Sequence, residues 1–141
     1  MYMNNTQAIR IGSGAGFAGD RVTPAVELSE DPDLDYLGFE CLAERTIALA
    51  QREKLADPNA GYNPRLKERF RAVLENCVEN DITVMTNMGA ANPTAAADAT
   101  AAVARELGLE DLTVAATEGS DVIDAFDAFN PETSARPGSA K

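Results

Sequence analysis

Glu40 and Asn87 are the side chains whose types and placement best suit chemistry on a bound ligand. Each stands where an apolar run gives way to a loop: Glu40 after residues 34–39, Asn87 after residues 82–86. A carboxylate at a strand tip suits acid–base work, and with Glu44 one helical turn on it could bind a divalent ion. An amide at the neighbouring tip can hydrogen-bond a ligand carbonyl or carboxylate. Glu44 also has a purely structural explanation, a negative charge at the positive end of a helix, worth roughly 0.3–1 kcal/mol.

The second feature is the run Gly12-Ser13-Gly14-Ala15-Gly16-Phe17-Ala18-Gly19-Asp20-Arg21, which follows the apolar residues 8–11. Glycines after a strand permit positive φ and can turn backbone N–H groups toward an anion. Three readings stand side by side: a dinucleotide fingerprint, a looser nest for a phosphate or an acyl-CoA, and a turn whose glycines serve only packing. Gly14-x-Gly16-x-x-Gly19, with Glu40 about 20 residues on, matches the fingerprint. The helix start at Thr23-Pro24 comes several residues too late for it. Arg21 offers a guanidinium for bidentate contact with a carboxylate or phosphate, or an ordinary surface ion pair. A third loop, Thr86-Asn87-Met88-Gly89-Ala90-Ala91-Asn92-Pro93, places small and amide residues before a helix N-terminus that favours anions. There Asn92 is first of all an N-cap. The ligand-binding set is thus Gly12, Ser13, Gly14, Ala15, Gly16, Phe17, Gly19, Asp20, Arg21, Thr86, Asn87, Met88, Gly89 and Asn92, with Glu40 and Asn87 facing the reacting part. On the nest reading, Gly14→Val should remove ligand binding and leave the helices in place.

Composition narrows the partners. The net charge of −11 argues against DNA, RNA and anionic membranes, which are bound by Lys and Arg. There is no histidine, so the commonest general base and transition-metal ligand is missing. The two cysteines, Cys41 and Cys77, cannot build a four-ligand zinc site and are not expected to form a disulfide. Cys41 lies where a helix N-terminus could lower its pKa, but a Cys–His mechanism is excluded, and a core or wall position is the expected role. Cys77 belongs to an apolar stripe. No metal is expected, and no particular cofactor is indicated. No apolar run is long enough to span a bilayer, and the first residues lack a secretory pattern, which points to the cytoplasm.

The elements that must hold these residues alternate. Strands are expected at 8–12, 34–39, 82–86 and 112–116. Helices are expected at 24–30, 41–56, 64–80 and 93–107, with a last short one over 121–129 capped by Ser120. Residues 1–7 read as a flexible start and 130–141 as a disordered tail. Leu66, Phe70, Val73, Leu74, Cys77 and Val78 share one helical face. Ala96, Thr100, Val103, Ala104 and Leu107 do the same in the next helix, and Leu42, Ile47, Leu49 and Ala50 are available for the buried side of the helix over 41–56. This alternation predicts an α/β fold: a three-layer, mostly parallel four-stranded Rossmann-like sheet with helices on both faces. Ligands of such sheets sit at the carboxyl ends of the strands, where the three loops would meet. Uncovered strand edges predict a homo-oligomer or a partner subunit.

Together these segments resemble the N-terminal domain of the acyclic terpene utilisation (AtuA-type) family. The resemblance rests on Gly12 to Arg21, on Asp35-Tyr36-Leu37 running into Leu42-Ala43-Glu44-Arg45-Thr46, on Gly61-Tyr62, and on Thr86 to Pro93. It covers residues 8 to about 128. Members usually carry an acidic residue and an aromatic before Leu-Ala-Glu, where this chain has Glu40-Cys41. The resemblance implies a cytoplasmic protein of branched or terpenoid acid catabolism, with an acyl-CoA or carboxylate ligand. It supplies no mechanism. Members are several times longer, which implies a fragment, a truncated product or one subunit of a split protein. A non-catalytic assembly subunit is the alternative, and a dinucleotide module a second one.

Overall fold

The computed structural model describes residues 8–119. The expected helix over 121–129, the tail and residues 1–7 lie outside the described residues. The elements run β1 (Ile11–Ala15), α1 (Thr23–Ser29), β2 (Tyr36–Phe39), α2 (Glu44–Ala56), α3 (Leu66–Glu79), β3 (Thr83–Thr86) and α4 (Pro93–Glu106). The three strands are parallel and stand in sequence order, β1-β2-β3. Ile11 pairs with Tyr36 and Tyr36 with Thr83; Ser13 pairs with Gly38 and Gly38 with Met85.

The expectation of a three-layer sheet is corrected among the described residues. Phe39 packs edge-on against Phe70 of α3, ring centroids 6.2 Å apart, and the same ring reaches Gly14, beside Ala25 of α1. So α1 and α3 share one face, and α4 packs on α3. Crossovers of one hand stepping in one direction all fall on one side, and the other side is covered only when the chain reverses past its first strand. No such reversal occurs between β1 and β3. The opposite face, carrying Ile11, Ser13, Tyr36, Gly38, Thr83 and Met85, stays open, with Ile11 67% and Met85 48% exposed.

Four strands are expected from the sequence, and three are found among the described residues. Residues 112–115 alternate between half-buried and exposed, but residues 112–116 form no ladder with β3. A hollow of about 710 Å³ separates them from that strand, lined also by α3 and α4. Periodicity reports extended backbone; it does not report whether a neighbouring strand is within hydrogen-bonding reach.

The two long helices follow their apolar stripes. In α3, Leu66, Phe70, Val73, Leu74 and Cys77 are buried, while Val78, expected on that face, is 45% exposed. α3 ends where Ile82 N–H donates to Cys77 O at 2.8 Å, with Asp81 at φ 57°. α4 ends the same way: Leu109 N–H donates to Ala104 O at 2.8 Å, Gly108 N–H to Arg105 O at 3.1 Å, and Gly108 has φ 73°. Both are left-handed C-terminal turns that satisfy the last carbonyls. Thr23 is not the N-cap of α1 but its first residue: the cap position is Val22, without a side-chain bond, and Pro24 is second in the first turn. α2 departs most from expectation. It begins at Glu44, Thr46 Oγ1 accepting from Ala43 N–H at 2.7 Å, and buries only Ala50. Ile47 and Leu49 are exposed and Leu42 is half-buried, because α2 stands off the sheet.

Candidate functional site

The three loops named from the sequence converge at the carboxyl ends of the strands. Glu40 N–H donates to Ala15 O at 3.0 Å, and Asn87 N–H to Phe39 O at 3.3 Å, so the strand ladder continues into the loops. Asn87 then bridges the second and third loops. Its Nδ2 donates to Glu40 Oε1 at 2.9 Å, and its Oδ1 accepts from Cys41 N–H at 2.7 Å. Leu42 N–H adds a 3.1 Å bond to Glu40 Oε1. The Asn87 amide and then the Leu42 N–H hold the Glu40 carboxyl below the usual carboxylate range. The exposed carboxylate is thus ionised at neutral pH and fixed through one oxygen.

A titration follows from this geometry. Asn87→Ala removes the larger cause of the lowered pKa, so Glu40 should ionise at higher pH than in the wild type. Carboxyl carbon NMR across the acidic range measures it. The bonds to ionised Glu40 favour the folded arrangement above the unfolded pKa and are lost as pH falls through the folded one. The Leu42 amide signal should therefore move with the same midpoint.

The glycine run behaves differently from its reading as a left-handed turn. Gly12, Gly14, Gly16 and Gly19 all lie outside positive φ. Gly12 and Gly14 are buried inside β1, and a Cβ on Gly14 would stand 2.9 Å from the Phe39 ring and 3.2 Å from Ala25. A Cβ on Gly19 would meet the Phe17 ring at 2.9 Å, whereas Gly16 has open space around it. An irregularity between Ser13 and Ala15 turns Ala15 inward, leaving Ser13 on the open face. With Gly14 inside the strand and helix α1 starting at Thr23, the dinucleotide fingerprint is not reproduced.

The loop already carries one anion of its own. Asp20 Oδ2 accepts from Gly16 N–H and Oδ1 from Arg21 N–H, both at 3.0 Å. The Gly16 bond is the main reason the Asp20 carboxyl titrates low. Among the described residues, the amides of Phe17, Ala18 and Gly19 have no acceptor, and Arg21 makes no ion pair.

Beneath all three loops lies a group that the sequence reading does not single out. Arg69 of α3 is fully buried. Its Nη2 donates to Ala18 O at 3.2 Å and to Asp20 O at 2.9 Å. Its Nη1 faces Cys41 Sγ at 3.2 Å and Met88 Sδ at 3.7 Å, and its Nε has no partner among the described residues. One guanidinium therefore touches the glycine loop, the loop after β2 and the loop after β3. Arg65, one turn earlier, adds bonds to Gly19 O at 3.0 Å and Asp20 O at 2.6 Å. The sequence signal was a charge three residues after Leu66 and four before Val73, on the buried stripe. Such an arginine is ordinarily read as snorkelling to solvent.

Several expected residues serve the scaffold. Asn92 caps α4, accepting from Ala95 N–H at 3.3 Å, and its Nδ2 donates to Pro58 O and Ala60 O. Gly89 packs against Pro93, Thr86 Oγ1 accepts from Met88 N–H, and Met88 is fully buried. Cys41 is buried, and desolvation pushes its thiol up despite the nearby Arg69. Burial raises Cys77 to about 11. Among the described residues, no group of three acidic or thiol side chains could hold a metal ion.

What remains open is a groove of about 490 Å³ on the uncovered sheet face. Ile11, Ser13, Gly38 and Met85 line it, with Glu40, Thr86 and Asn87 at its polar end. It is shallow and broadly open to solvent rather than an enclosed cavity. The larger hollow beside β3 contains neither Glu40 nor Asn87.

The order of these segments also matches a known family description, Acyclic terpene utilisation family protein AtuA, over residues 9–140. The chain belongs to this family. No curated protein matches it, and no solved structure does. Within the AtuA chain, the glycine loop and the residues 86–93 loop that carried the resemblance both meet the Arg69 guanidinium near the carboxyl ends of the strands. No described helix is long and apolar enough to cross a membrane.

Proposed function

We propose that this AtuA-family chain is the ligand-binding α/β unit of a catabolic enzyme for branched or terpenoid acyl groups, presented as CoA thioesters. The observation that carries the reading is the Glu40–Asn87 pair, fixed by backbone donors at the polar end of an open, largely apolar groove. Among the described residues the amides of Phe17–Gly19 are unpaired and Arg21 makes no ion pair, which suits the phosphates of the carrier. Glu40 and Asn87 face the acyl end. An ionised Glu40 repels a free carboxylate, so the thioester is the better ligand. Catalysis would draw on groups from a partner or a further region. Calorimetry with a methyl-branched medium-chain acyl-CoA, the free acid and CoA alone tests this. Heat of binding is expected for the thioester above both controls; equal or absent heats overturn the reading.

A second reading, a non-catalytic assembly subunit, is favoured by the uncovered face, because parallel sheets are normally buried on both sides. Sedimentation separates the two: an obligate oligomer without thioester affinity supports the second.

A further inference from the structure

β3 is an edge strand, and its free side can be assigned residue by residue. Thr83 N–H donates to Asp35 O and Asn87 N–H to Phe39 O, both toward β2. Backbone groups change side at every residue of a parallel strand, so those of Val84 and Thr86 point away from β2. Both residues line the hollow of about 710 Å³, and among the described residues neither amide has a backbone partner. The opposite wall is a second free row. α4 starts beside the loop after β3, where Gly89 packs on Pro93. Leu109 N–H is tied to Ala104 O near the end of α4, and Glu118 accepts from Thr94 Oγ1 at its start. Residues 112–118 therefore run back along α4, in the direction of β3. No backbone hydrogen bond holds residues 113–118 among the described residues. Phe70, Leu74, Ala96 and Ala97 give the hollow an apolar wall.

An edge of free N–H and C=O groups is completed by an extended chain, which offers both at strand spacing; a helix has already used its own. From this we propose that the hollow is a strand-docking slot. A strand of another polypeptide inserts parallel to β3, bonds the free groups of Val84 and Thr86, and sets alternate side chains against the apolar wall. Charge defines the partner further. Asp81, Glu110 and Asp111 line the slot where β3 begins and where α3 and α4 end. All three are exposed, and among the described residues none is in an ion pair, although Arg105 lies in the last turn of α4. Carboxylates at the negative ends of two helices favour an incoming cation. The docking strand thus begins with Lys or Arg. A second copy of this chain is a poor occupant: its free stretch follows Glu110-Asp111 and would bring like charges to Asp81. The slot holds neither Glu40 nor Asn87, so the proposal is independent of the thioester reading.

The test uses the full chain and three probe peptides: Lys-Lys-Val-Thr-Val-Thr-Val, the same peptide starting Glu-Glu, and the Lys peptide with every valine and threonine amide methylated. Amide hydrogen exchange is followed by NMR. Without peptide, Val84 and Thr86 should exchange freely, while Met85, bonded toward β2, is protected. The Lys peptide at saturation should slow Val84 and Thr86 by about tenfold or more and leave Met85 unchanged. The Glu peptide should bind about tenfold more weakly, and the methylated one should give no protection. The combined variant Asp81→Asn, Glu110→Gln and Asp111→Asn changes only exposed side chains and should bind the Lys and Glu peptides within about twofold of each other. No slowing with the Lys peptide, or equal slowing with its methylated form, overturns the proposal. So does protection of Val84 and Thr86 without any peptide. Sedimentation then says what occupies the edge: residues 112–117 of the same chain in a monomer, a second copy in a dimer.

Discussion

Arg69→Met should lower the unfolding free energy by about 2–3 kcal/mol, read as an earlier midpoint in urea. Methionine retains much of the length and apolar contact, but it cannot donate to Ala18 O and Asp20 O. These carbonyls are part-buried, and each left without a donor costs up to about 1–3 kcal/mol. Asp20 O keeps its bond from Arg65, which limits the loss. Removing the buried cation also removes its desolvation cost, which keeps the total below the sum of the bonds. The more telling readout is local. Because the guanidinium touches Ala18, Asp20, Cys41 and Met88, one substitution should move the amide signals of all three loops together. Arg69→Lys keeps the charge but has no planar fork to span those partners, so it should not restore the wild-type signals. Wild-type loop signals in Arg69→Met would show that the loops hold their positions without it.

Arg69 also shows where sequence reading of this chain stops. The helices α3 and α4 were legible because their apolar residues recur at helical spacing and because Asn92, Asp81 and Gly108 mark ends with known backbone chemistry. The convergence of Glu40 with Asn87 was legible too, since parallel strands bring their carboxyl ends to one edge. Pairing was not: residues 112–116 alternate like a strand, yet a hollow keeps them from β3. Layering was not, because the side on which helices fall depends on the direction the chain steps across the sheet. Ile47 and Leu49 suggested a buried α2, but nothing in their spacing says whether a neighbour is present to cover them. A polar atom under a loop is harder still, since its partners are backbone carbonyls that every sequence contains.

The glycine run makes the same point through a substitution with a large effect. Gly14→Val should destabilise the fold rather than act on a ligand alone. Its Cβ would stand 2.9 Å from one Phe39 ring atom, 3.1 Å from the next and 3.2 Å from the Ala25 Cβ. Two further methyls would then have to enter the seam where α1 crosses β1. Overpacking of this kind costs about 1–3 kcal/mol, more where backbone must move. Phe39 cannot swing away freely, because Phe70 packs against it. The expected result is a lowered melting temperature and partial loss of helical signal, in contrast to the intact helices that an anion nest at Gly14 would leave. Gly16→Ala separates the two roles. Its Cβ would meet only Asp20 Oδ2 at 4.0 Å, and its φ is not in the left-handed region, so the fold should melt within about a degree of wild type. Loss of thioester binding in Gly16→Ala with unchanged melting would place the ligand at the loop. Loss in Gly14→Val alone would only report a sheet that no longer closes on α1.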